Sequence, residues 1–391
     1  MFINNNLFML EFSSVKFMNS TSKLLRSCFP VYHHHVNRAY YANRKNNNKL
    51  VIPASSERIH LVDAEVIKFT VDSISSDWSK ETAIVIDTSP GPGLLLEALL
   101  KAGAPKVRGL LHGSSPYKSV LQTLQETYPD RLELRNFDFH NFRSNFKENS
   151  GIEGCKRVLD SALETAPVNW TDDPPLKLIL TLTPSTERRV LRRLISELTL
   201  QSGIYASGRS QLFVFLSEKE YGFMKTKKDV RPIHHQASHI LYQSFFQINH
   251  LATFNFDCFY PSVNNPKTKN SNPENVHLVS ILPKLELPDL ISTKDWPDYF
   301  YFVKQTMARR RNRIIPFMEK LVSDCGLKLI KNGITVHKAF KDLEPDEFIK
   351  LFVEMRSWPE FEVSNLAEAT KGFLTENDQY LLQHGFSMNK K

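Results

Sequence analysis

Cysteine is scarce. The chain has four, Cys28, Cys155, Cys258 and Cys325, spread over 391 residues. None forms a CxxC pair, which argues against a zinc ribbon or a disulfide framework. They read as small apolar core residues in a reducing compartment. No stretch approaches about 18 uninterrupted apolar residues, so no transmembrane helix and no membrane partner are expected. The absence of GxxxxGK[ST] disfavours a P-loop nucleotidase. There is no internal repeat. Acid is nearly missing from residues 1–49, where Glu11 stands alone against seven Lys and Arg.

The rest of the composition is that of a globular chain, 41% hydrophobic and 24% charged, long enough for two domains. Lys and Arg total 50 against 42 Asp and Glu. This modest excess permits nucleic-acid binding without establishing it. Part of it lies in the basic, Asn- and Ser-rich leader, which reads as a mitochondrial transit peptide over residues 1–40. Arg38-Ala39-Tyr40-Tyr41 has the form of an Arg-x-Tyr processing site, with cleavage after Tyr40. Residues 41–57 read as a linker. His33-His34-His35 is too short to count as a metal site, and no metal is expected.

From Arg58 the pattern alternates between helix and strand. Helices are expected over Asp63–Ile74, Leu94–Ala102, Tyr117–Thr127, around Cys155–Glu164, Glu187–Leu200 and Glu218–Lys228. Buried strands are expected over Ala83–Asp87, Val107–Leu111, Leu132–Phe139, Leu178–Leu182, Gln211–Leu216 and Val276–Leu282. A further segment reaches Phe254–Phe259, and the polar stretch Asn264–Asn275 reads as a hairpin loop. Such alternation means an α/β doubly wound sheet, assigned to residues 58–292. From Trp296 only helical patterns remain, over Tyr299–Asp324 and Glu344–Arg356. Residues 293–368 therefore read as a small all-α domain, followed by a flexible tail over 369–391.

The most informative stretch is Ile84-Val85-Ile86-Asp87-Thr88-Ser89-Pro90-Gly91-Pro92-Gly93. A buried strand runs into a Gly-containing turn and then a helix. That arrangement brings backbone N–H groups and a helix N-terminus to a small ligand at the carboxyl edge of the sheet. Asp87, at the strand end, is placed to orient that ligand.

The segment DTSPGPGLLLEALL resembles motif I of the ribosomal RNA adenine dimethyltransferase superfamily, especially its mitochondrial transcription factor B branch. The resemblance covers about Arg58 to Glu368. It implies a Rossmann-like S-adenosylmethionine-dependent methyltransferase fold with a small all-α C-terminal domain. The family opens with Gln-Asn-Phe-Leu-x-Asp, whose Asn and Leu lie against the cofactor; here the match is Arg58-Ile59-His60-Leu61-Val62-Asp63. The glycine turn survives as Gly91 and Gly93. A carboxylate on the ribose hydroxyls is replaced by His112, which lacks the same bidentate acceptor. Asp138 matches the aspartate that recognises the adenine amino group. The vestigial cofactor set is thus Ile59, Leu61, Asp87, Gly91, Gly93, His112 and Asp138.

The family's catalytic motif, Asn-Leu-Pro-Tyr/Phe, holds and stacks a flipped adenine. Here it reads Leu182-Thr183-Pro184-Ser185, which has no hydrogen-bonding side chain at the first position and no ring at the last. The catalytic motif is therefore degraded. No cofactor is required, and S-adenosylmethionine binding is at most weak.

Three basic elements complete the picture. Arg309-Arg310-Arg311-Asn312-Arg313 is expected on the helix Tyr299–Asp324, where four arginines in five positions cannot all face a core and can clamp phosphates. Arg188, Arg189, Arg192 and Arg193 lie on the helix after Pro184, which flanks the substrate cleft in the family. Lys225-Thr226-Lys227-Lys228 is a third run. The resemblance implies a transcription initiation factor of the B branch, partnering the mitochondrial RNA polymerase and melted, single-stranded promoter DNA in the matrix nucleoid. The competing readings are a mitochondrial small-subunit ribosomal RNA adenine N6-dimethyltransferase, and an assembly factor that binds ribosomal RNA without modifying it.

Overall fold

Strands and helices alternate as the hydrophobic pattern demands. In the computed structural model the described residues are 58–75, 83–113, 115–140, 161–225, 236–260 and 275–372. The leader and linker, most of the helix around Cys155–Glu164, the basic run beyond Lys225, the loop Asn264–Asn275 up to residue 274, and the tail beyond residue 372 lie outside them. All described residues fall in one compact unit, Ser56–Lys391.

The chain enters through β1 (His60–Leu61) and α1 (Ala64–Ser75). Asp63 starts α1 by accepting the N–H groups of Glu65 and Val66 at 2.9 and 3.0 Å. Val66, Ile67, Val71 and Ile74 then bury one face. Next come β2 (Ile84–Asp87), α2 (Leu94–Lys101), β3 (Lys106–Leu111), α3 (Lys118–Thr127) and β4 (Leu132–Asn136). The second half contains β5 (Leu176–Thr181), α4 (Glu187–Thr199), β6 (Ser210–Ser217) and α5 (Glu218–Lys225). It continues through α6 (Ala237–Phe245), β7 (Phe246–Asn255), β8 (Phe259–Tyr260) and β9 (Asn275–Pro283).

Seven strands form one sheet in the order β4-β3-β2-β5-β6-β9-β7. The first five are parallel; β9 runs antiparallel to β6 and to β7. β2 and β5 are buried along their whole length, as central strands covered on both faces must be. The strand order reverses at β2, so the carboxyl ends of β2, β3 and β4 form the crevice where α/β sheets take ligands.

The C-terminal helices are α7 (Leu287–Leu290), α8 (Trp296–Ala308), α9 (Ile314–Met318), α10 (Gly326–Lys331) and α11 (Pro345–Arg356). They share one continuous core with the sheet layer. The Tyr299 ring packs edge-on to Phe245 at 5.6 Å, and its hydroxyl lies 2.6 Å from Ser244 Oγ. Trp296 meets Trp170 at 5.1 Å.

Two expectations change. The helix expected over Tyr299–Asp324 is broken: α8 ends at Ala308, and Arg309–Asn312 form a turn closed by Asn312 N–H to Arg309 O at 2.8 Å. Residues 313 and 339 then bridge, so the backbone cannot continue as a helix. Residues 237–255, left without clear structure by the pattern, hold α6 and the ten-residue strand β7.

Candidate cofactor cleft and nucleic-acid surface

The turn after β2 is shaped by two glycines. Gly91 has φ +51° and Gly93 has φ +89°, a region that L side chains rarely occupy. A Cβ at Gly91 would collide with the His60 ring, and one at Gly93 would sit 2.7 Å from Leu121 Cδ2. The glycines thus let the turn pass beneath β1 on one side and against α3 on the other.

The cleft is lined by Arg58, His60, Thr88, Ser89, Pro90, Gly91, Leu110, Leu111, His112, Ser115, Phe137 and Asp138. Gly91, His112 and Asp138 of the expected cofactor set meet here. Ile59, Leu61, Asp87 and Gly93 do not line it. Ile59 and Leu61 are buried, and Leu61 pairs with Phe259 in the β1–β8 ribbon. Asp87 is turned inward: its Oδ1 accepts the Ser89 N–H at 2.9 Å, and burial raises its pKa to about 7. In this position its side chain braces the turn.

Arg58 and His60 occupy the space that sequence reasoning left for a cofactor. Arg58 Nη2 donates to Asp138 Oδ2, forming an ion pair with that buried carboxylate. Asp138 Oδ1 also accepts the His140 N–H at 3.1 Å. His60 Nδ1 lies 3.1 Å from both the carbonyl and the hydroxyl of Ser89. Burial drives the His60 pKa down to about 4, with Arg58 and His112 adding to the shift, so its ring is neutral near pH 7. The cleft is shallow and partly open to solvent. In this arrangement the residues do not fit S-adenosylmethionine, because the adenine-matching carboxylate is engaged and an imidazole covers the glycine turn. The signal for this was the change to Arg58 and His60 at the chain entry.

The target-base motif is also closed on itself. Leu182 is buried in the core. Thr183 Oγ1 lies 3.0 Å from the hydroxyls of Ser185 and Thr186, and Thr186 Oγ1 donates to Thr183 O at 3.1 Å. These hydroxyls shape the turn into α4, and no ring faces outward.

The arginines divide. Arg193 is buried: it donates to Phe139 O at 2.9 Å, pairs with Glu197 at 3.1 Å and lies 4.3 Å over the Phe139 ring. It is a core residue, which corrects its assignment to a nucleic-acid surface. Arg188 is exposed but pairs with Glu220 at 2.7 Å, and Arg189 donates to His140 O at 3.2 Å. Arg192 is part-buried on α4, facing Lys304 of α8. Burial, then Arg192, lowers the Lys304 pKa to about 8. Arg309, Arg311 and Arg313 are exposed and Arg310 part-buried on the turn that follows α8. The turn is pinned by Lys341 N–H to Arg310 O at 2.8 Å and Ile314 N–H to Lys338 O at 2.9 Å. Glu319, which is nearby in sequence, instead accepts the backbone N–H groups of Asp324 and Gly326 at 3.0 and 2.5 Å. Lys304 stands apart from the basic runs, a single cation on α8 between Val303 and Gln305.

No family model matches the chain. The fold defines its class: a Rossmann-like α/β sheet layer with a helical C-terminal region. A dimethyladenosine transferase from Plasmodium falciparum superimposes with a TM-score of 0.50 at 14% identity, over 76% of this chain and 97% of that one. Sequence relatives are more particular. Dimethyladenosine transferase 2, mitochondrial, of Drosophila melanogaster is 26% identical over 328 residues, covering 71% of this chain and 72% of the fly protein. The Homo sapiens protein of that name is 24% identical over 287 residues, covering 70% and 71%.

Proposed function

We propose that this chain is a mitochondrial transcription initiation factor of the B2 type. It assists the mitochondrial RNA polymerase by binding promoter DNA once the strands have separated, and it works without methyl transfer. The observation that carries this reading is a contrast. The cofactor cleft and the target-base motif are internally satisfied, whereas Arg309, Arg311 and Arg313 stand exposed on a pinned turn. Arginines on a fixed backbone suit phosphate contact. A protein that binds only the open form of a promoter stabilises it by mass action.

The test is promoter-directed transcription in vitro with the cognate polymerase on linear template. Specific transcripts that depend on the protein support the reading. No stimulation, on a promoter the polymerase transcribes once pre-melted, discards it.

The second reading is ribosomal RNA adenine N6-dimethylation. The retention of Gly91, Gly93 and Asp138 favours it, as does the transferase name of the relatives. It requires the Arg58–Asp138 pair to open when S-adenosylmethionine binds.

A further inference from the structure

Away from the cleft, the antiparallel end of the sheet carries a second polar cluster. β7 pairs with β9, and a bulge breaks the register between His250 and Ala252. In a regular strand, residues three apart point to opposite faces. The extra residue reverses that parity, so His250 and Thr253 share a face with His277, the partner of Thr253. His250 Nε2 lies 3.0 Å from Thr253 Oγ1 and 3.2 Å from His277 Nδ1, and the third side of the triangle measures 3.0 Å.

Helix α5 supports the cluster from behind. Glu218 Oε2 lies 2.7 Å from His277 Nε2 and accepts a hydrogen bond from it. The Tyr221 ring stacks on His277 at 4.3 Å and leans on His250 at 5.0 Å. Lys225 lies 5.6 Å from the Tyr221 ring centroid. Glu218 and Lys225 are the charged groups that face the two imidazoles from this helix.

The neutral side chains bring fewer hydrogens than there are contacts. In the neutral tautomer whose Nε2–H donates to Glu218, His277 turns a lone pair at Nδ1 toward the triangle. Thr253 supplies one hydrogen and His250 Nε2 at most one. Two hydrogens serve three contacts only if one of them is shared in a three-centre bond. A shared cation satisfies all three atoms at once. Donors about 2.0–2.1 Å from a tetrahedral centre stand roughly 3.3–3.4 Å apart, a few tenths of an ångström from the distances here. A carboxylate holding the far nitrogen of a ligating histidine is the usual support for such an ion.

We propose that His250 Nε2, His277 Nδ1 and Thr253 Oγ1 form one face of a site for a divalent ion of the zinc or copper class, with Glu218 fixing the His277 tautomer. Among the described residues no three His, Cys, Asp or Glu side chains converge on one point. The site therefore has two strong donors and a hydroxyl, and water completes the shell. His250 and Thr253 are exposed, so the ion enters directly from solvent. Bound there, it ties the edge strand β7 to β9.

The test uses the full chain with His33, His34 and His35 changed to Ala, so that the leader tract cannot bind. Zn2+ is titrated in competition with a chromophoric chelator, and the melting temperature is read with Zn2+ and with EDTA. One saturable equivalent is expected, with a Zn2+-dependent rise in melting temperature. His250→Ala abolishes the rise and weakens binding at least tenfold, while melting normally in EDTA. Glu218→Gln weakens binding about tenfold, as removal of a supporting hydrogen bond does. Absence of a saturable equivalent, or His250→Ala binding like its parent, overturns the proposal.

Discussion

Arg58 and Asp138, eighty residues apart, form an ion pair across the cleft at the carboxyl edge of the sheet. The pair places a fixed cation where an adenosine ligand would need the carboxylate. Removing the cation should reopen the site. Arg58→Ala is expected to gain a melting-temperature rise of about 2 °C or more with S-adenosylmethionine at ten times its dissociation constant. The unaltered chain is expected to show none. Equal shifts in both proteins would remove any role for Arg58 in closing the cleft.

The basic turn and α4 should separate binding from stability. Arg309, Arg311 and Arg313 touch solvent, so changing all three to Gln is expected to leave the unfolding free energy within about 0.5 kcal/mol per site. The slope of log affinity for single-stranded DNA against log salt should fall by about 0.7 for each phosphate that the arginines no longer neutralise. Arg193→Ala should do the reverse. It leaves the buried Glu197 without its partner and is expected to destabilise by about 3 kcal/mol or more. Urea unfolding beside a salt titration of binding checks both.

Placing at position 182 the asparagine of the motif it resembles should not create catalysis. Leu182 is 1% exposed and packs in the core. Leu182→Asn buries an amide among apolar side chains and is expected to cost about 2–5 kcal/mol, within the range of large core deletions. Methylation of a ribosomal RNA substrate by this variant would show that the motif retains its reach into the cleft.

Asp87 predicts a pH dependence of defined sign. Its pKa rises on folding to about 7, chiefly by burial and against the Ser89 N–H. Its contribution to stability is therefore complete below the unfolded value near 4 and is lost as pH rises through 7. Asp87→Asn keeps an oxygen for the Ser89 N–H and removes the titration. Relative to the variant, the unaltered chain should lose stability on the order of 4 kcal/mol between pH 4 and pH 8. A constant difference across that range contradicts the assignment.

Much of the fold is legible in the sequence because buried strands such as Ile84–Asp87 and Leu176–Thr181 are short apolar runs bounded by turns. The paired glycines announce their turn for the same reason: nothing else fits the backbone there. The arginine turn was hidden because a run of helix-forming residues says nothing about the bridge between residues 313 and 339 that ends the helix. β7 was hidden because its bulge breaks the alternation by which strands are recognised. The closure of the cleft is a matter of tertiary reach, since no spacing in the chain reveals that Arg58 meets Asp138.

The joint between the sheet layer and α8 bears on how this protein can be taken apart. Phe245, Tyr299, Trp296 and Phe352 belong to one apolar mass, with Ser244 bonded to Tyr299. A chain cut after Ser292 would bare Phe245 to water and strand the Ser244 hydroxyl. Deletion mapping is therefore a poor instrument here: a shortened chain that fails to act reports collapse of the remaining half as readily as the removal of a binding surface. Point changes on exposed side chains are the dissection this architecture permits.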